Sequence, residues 1–99
     1  MTTTMRTTLL TPTVRLQQNP DILAAPMGEE TVMMSMSRNN YYGLDEVGSR
    51  VWALLAQPQT LTDLCTALQQ EFAVDDETCQ REVTTLVQAL VAADLVNVG

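Results

Sequence analysis

Asn39-Asn-Tyr-Tyr-Gly-Leu-Asp-Glu-Val-Gly-Ser-Arg-Val-Trp52 holds a chain reversal, a short aromatic strand, a helix cap and the opening of a helix in one stretch. Asn39 and Asn40 tolerate positive φ, so they predict a turn after Met36. Tyr41 and Tyr42 favour the strand that follows, and Gly43 leaves one face bare so that another backbone or ring can approach. Asp45 stands where its carboxylate can cap free helical amides. Val47, Val51, Trp52, Leu54 and Leu55 then recur at the spacing of one apolar helix face.

Upstream of this stretch, alternation and turn chemistry predict two further strands. Ile22 to Met27 is ended by Gly28, and in Thr31 to Met36 the residues Val32, Met34 and Met36 share one face while Thr31, Met33 and Ser35 share the other. With Tyr41 to Leu44 they form an antiparallel meander of three strands. The clustered methionines read first as adaptable core filling, and second as a contact surface. Asn19-Pro20-Asp21 is a turn, and Val14 to Leu16 a candidate earlier strand. Met1 to Thr13 is rich in Thr and without apolar period. Residues 1–18 are therefore assigned to a flexible tail and residues 19–99 to the domain.

Downstream, so small a sheet needs a cover, and three helices are predicted. The first runs from about Glu46 to Ala56, before Pro58. The second starts at the capping box Thr60-Leu-Thr-Asp63 and aligns Leu61, Leu64, Cys65, Leu68 and Phe72. The third begins at Asp75, with Asp76 and Glu77 favoured by the helix dipole and a core stripe of Cys79, Val83, Leu86 and Leu90. Asp94 takes the left-handed position that ends it, and Val96 to Val98 is a final strand. The expected class is α+β, a three-stranded antiparallel sheet followed by three helices, like a winged helix-turn-helix.

Composition excludes several functions. A chain of 99 residues with net charge −7 and no His offers no basic cluster for a phosphate backbone. The third helix opens on Asp75, Asp76, Glu77 and Glu82 against Arg81, the wrong chemistry for reading bases. No apolar run spans a bilayer and no signal-peptide core is evident, so a cytoplasmic protein without nucleic-acid or membrane partners is expected. No nucleophile stands beside a base, no phosphate loop occurs, and no cofactor or catalytic residue is implied. Cys65 and Cys79 fall at apolar helical positions, as buried reduced thiols; a disulfide or metal pair is the lesser reading.

Peptide binding by strand addition fits better. An edge at Tyr41 to Leu44 would offer free N–H and C=O groups, and a second stripe on the third helix, Thr78, Glu82, Thr85 and Ala89, could wall a groove. Ordering five peptide residues costs roughly 5 to 10 kcal/mol, whereas four ladder hydrogen bonds return about 2 to 6. Two or three buried apolar side chains at ~1.5 to 3 kcal/mol each must supply the rest, so the partner should carry aromatic or aliphatic anchors at alternate positions. The competing readings are a solvated helix face, and an acidic winged-helix domain acting in transcription or as an oligomer interface.

The pattern Tyr41-Tyr-Gly-Leu-Asp-Glu-x-Gly-x-x-Val-Trp52, with Thr60-Leu-Thr-Asp-Leu64 downstream, resembles the PqqD-like family, the recognition elements of ribosomally made, modified peptides. The likeness runs from about Asn19 to Val96 and includes Arg81-Glu-Val83, Leu86, Leu90 and Leu95. It implies a non-catalytic domain that holds a precursor's leader peptide as an added strand and delivers it to a maturation enzyme. Carried over by position, Asn40, Tyr41, Tyr42 and Gly43 would line the strand side, and Arg81, Glu82, Thr85, Leu86 and Ala89 the helix side. Tyr42 and Leu86 also fit a core role. A lasso-peptide setting with a leader peptidase is favoured; a radical-SAM enzyme of pyrroloquinoline quinone or related biosynthesis is the alternative, and homodimer formation is left open. Asp45 in place of Asn, Gln57-Pro58 in place of a Gly-containing turn and Asp94 in place of Gly depart from the family at capping and turn positions.

Overall fold

The computed structural model describes residue 11 and residues 13–99. The chain runs β1 (Leu16–Gln18), β2 (Ile22–Met27), β3 (Glu30–Ser35), β4 (Asn40–Leu44), α1 (Glu46–Leu54), α2 (Leu61–Glu71), α3 (Asp76–Ala92) and β5 (Val96–Val98). The expected antiparallel meander is present, in the order β2-β3-β4. Gly28, at φ +67, turns β2 into β3, and Asn39, at φ 58, turns β3 into β4. The register pairs Met33 with Ala24 and Tyr42, and Met34 with Leu23 and Tyr41. Side chains paired across a strand share a face. One face therefore carries Met33, Ser35, Tyr42 and Leu44 towards the helices; Met33 and Ser35 are buried, and Tyr42 and Leu44 pack half-buried against the core. The other face carries Leu23, Met27, Met34 and Tyr41 outward.

Each helix starts as its sequence dictates. Asp45 accepts from the Gly48 amide at 2.8 Å, Thr60 and Asp63 form the reciprocal capping box, and Asp75 accepts from the Thr78 amide. Gly48 has a second reason to be glycine: a Cβ there would stand 3.2 Å from the Asp45 carboxylate and 3.3 Å from the Leu44 side chain. Asp94, at φ 63, ends α3 as expected.

Three expectations need correction. The tail assigned to residues 1–18 includes a packed strand: β1 pairs with β5, Leu16 is fully buried, and Gln18 donates its amide to Leu55 O (2.9 Å) and its side chain to Trp52 O (2.7 Å). Leu16 also exchanges backbone hydrogen bonds with Gln59, at 2.8 and 2.9 Å. The strand thus adds hydrogen-bond donors to carbonyls at the end of α1. The rest of the assigned tail, residues 1–10 and 12, lies outside the described residues. On α3 the core position is Val87, fully buried, whereas Leu86 is half-buried at the margin. On α1, Val51, Trp52 and Leu55 are buried but Val47 is exposed, because the face of the first turn looks past the core.

The core joins all layers: Leu16, Met33, Val51, Trp52, Leu55, Leu64, Leu68, Val83, Val87, Leu90 and Leu95 are buried in one cluster. Cys65 and Cys79 are free and buried. Burial, with Cys79 beside it, pushes the Cys65 thiol up to about 12. It is a neutral, unreactive packing group at physiological pH.

Candidate functional site

A strand at the end of a sheet order has one neighbour, so β4, flanked by β3 alone, keeps its other edge open among the described residues. β1 and β5, the strands from either end of the domain, pair with each other instead. Asn40, Tyr41 and Gly43 are exposed along β4. Tyr42 turns its ring to the core side and its hydroxyl accepts from Asn40 Nδ2 at 3.4 Å. A side chain at Gly43 would meet open space, so the strand is unobstructed there.

Where β4 ends, a cavity of about 320 Å³ begins. Val47 and Gly48 of α1, Leu68 and Phe72 at the end of α2, Val74, and Val83 and Leu86 of α3 give it an apolar wall. Asp45 and Glu82 stand in its lining as the acidic members. The volume is at the small end of the ~300–1,000 Å³ typical of ligand pockets, suited to a side chain or two of a longer partner. A second cavity of about 330 Å³, between Thr66, Gln69, Gln80 and Thr84 among others, touches neither β4 nor α1.

Of the residues named from the sequence, Glu82 and Leu86 line this cavity. Arg81, Thr85 and Ala89 are exposed on the same helix, Thr85 donating its hydroxyl to Arg81 O at 3.0 Å. Asn40, Tyr41, Tyr42 and Gly43 lie on β4 and do not line it. Tyr41 points to the outer sheet face. Sequence reading missed Val47, Phe72, Val74 and Cys79 as wall residues. The signal was available on α3, where Cys79, Glu82, Val83 and Leu86 fall at helical spacings of three and four and so form one face. Dividing them between a core stripe and a groove stripe concealed it.

The electrostatics around the cavity are negative. The register sets Glu30 next to Met27 and Thr31 opposite Leu44, which brings the β2–β3 turn beside the start of α1. The charge of Glu29 and a shared hydrogen bond raise the Glu46 carboxyl above its ordinary value. Arg50, one turn further along α1, is held by Glu71 through contacts of 2.8 and 2.9 Å. Arg38 is paired with Asp94. Asp75 is lowered by the Thr78 side-chain hydrogen bond, with Arg81 contributing.

The solved structure "TbiB1 in complex with the TbiA(beta) leader peptide" is similar over 82% of this chain and 94% of its own, with 28% identity and a TM-score of 0.76. "Lasso peptide synthetase B1 complexed with the leader peptide" covers 83% and 96%, with 18% identity and a TM-score of 0.73, a likeness of fold. No curated protein matches the sequence. The family model for coenzyme PQQ synthesis protein D (PqqD) matches residues 30–96, from the first residue of β3 to the first of β5. With its most specific motif on the open strand and its helices around the cavity, the chain belongs to the PqqD family.

Proposed function

We propose that this protein recognises the leader segment of a ribosomally made precursor peptide, taking it as a strand added to β4 and seating an apolar anchor in the cavity beyond. The observation that carries this reading is the edge of β4 left open among the described residues, with an apolar cavity whose lining starts at Asp45, the residue after the strand. The edge alone offers ladder hydrogen bonds that do not offset the ordering of a flexible chain; the cavity supplies the missing burial. The leader-bound state of the similar structure with 28% identity supports the same occupant.

The role is binding and delivery in the cytoplasm, not catalysis. The PqqD family match and the leader-bound similar structure support binding rather than chemistry. Delivery needs a second surface. Leu23, Met27 and Tyr41, 58%, 63% and 71% exposed, lie on the outer side of the sheet that holds the peptide strand. Exposed apolar faces of this kind mark protein contacts, and a leader peptidase of a lasso-peptide pathway is the enzyme we favour there.

Proline substitution tests the strand addition. Along an edge strand, successive residues direct their N–H alternately to the neighbour and to the open side. Of Tyr41 and Tyr42, one therefore serves β3 and the other faces outward. In titrations with the leader of the precursor encoded beside this gene, proline at the outward position is expected to weaken binding about tenfold with little loss of stability. Proline at the other should lower stability. No binding at about tens of micromolar, or binding indifferent to both prolines, would overturn the proposal.

A further inference from the structure

We propose that the groove selects apolar segments flanked by lysine or arginine, so that basic residues beside the anchor, and not apolar character alone, define its peptide. This rests on the peptide-binding reading above and specifies its substrate class. The cavity wall is apolar, but its two acidic members, Asp45 and Glu82, come from different elements, the α1 cap and α3. Glu29 and Glu46 stand beside the first of these, close enough to share a hydrogen bond. Glu30 begins the strand that pairs with β4.

Two of the arginines among the described residues are held in ion pairs. Arg50 is clasped by both carboxylate oxygens of Glu71, and Arg38 by Asp94 at the other end of the sheet. Arg81 lies near Asp75, before the first turn of α3. A peptide entering the cavity thus meets carboxylates from two elements. A basic residue there is attracted, and an acidic one repelled, while the aliphatic stem of Lys or Arg can lie along the apolar wall.

The test is a selection of random displayed peptides on the full chain, repeated on Glu82→Lys and Glu29→Lys, both exposed positions. Enriched peptides are expected to pair an aromatic or aliphatic residue with Lys or Arg next to it or one place removed. A synthetic winner should lose about three- to tenfold affinity when that base is made Glu, and the charge-reversed proteins should lose the preference. Winners with apolar anchors and no bias towards bases, or a bias that survives both reversals, would overturn the inference and leave peptide recognition standing. No enrichment of any peptide would overturn both.

Discussion

Trp52→Ala is expected to destabilise the protein by about 3 to 5 kcal/mol, a large share of the ~5–15 kcal/mol that holds a domain together. The indole is 6% exposed, on the face of α1 that also buries Val51 and Leu55. Its loss leaves a void that α2 and the sheet cannot both close. The same residue's carbonyl accepts the Gln18 side chain, so a shift of α1 also disturbs β1. Val47→Ala, one turn earlier and exposed, should cost less than about 0.5 kcal/mol. Urea denaturation followed by far-ultraviolet circular dichroism measures both. Equal losses would mean that α1 is rotated from the orientation described.

Leu86→Asp is expected to reduce leader-peptide affinity by about a hundredfold or more. The half-buried leucine forms part of the apolar wall shared by α1, α2 and α3. Replacing it removes ~1.5–3 kcal/mol of apolar burial and sets a carboxylate that must be desolvated against the apolar anchor. Val87, its neighbour in sequence, is fully buried on the core side. Val87→Ala should therefore lower stability while the folded fraction binds normally. Isothermal titration on the two variants separates wall from core. If Leu86→Asp binds as the parent does, the cavity is not where the anchor sits.

Much of this architecture is legible in the sequence because its signals are local. Asp45, Thr60 and Asp75 each cap a helix through an amide three residues on, a geometry that spacing alone specifies. Asn39 and Asp94 take positive φ where a turn and a helix end demand it. What escapes is non-local. β1 contains three residues with a single apolar side chain, and its partner β5 lies at the far end of the chain, so neither periodicity nor turn chemistry reveals the pairing. Leu86 and Val87 are adjacent apolar residues, and only the placement of α2 and α1 decides which of them enters the core. The same holds for Val47. The cavity is made by three helices meeting, and no single helix encodes it. Asn40 to Gly43 were identifiable as a strand because of the aromatic pair and the preceding turn, but their edge position depends on where β1 and β5 go.

Amide hydrogen exchange of β4 with and without leader peptide tests strand addition most directly. In the free protein the outward amides of Asn40 to Leu44 should exchange quickly, and on saturation with the leader they should slow by about tenfold or more. Protection should extend to the residues around Val47 and Leu86. A leader that binds while the outward amides of β4 keep their free-state exchange rates would contradict the account.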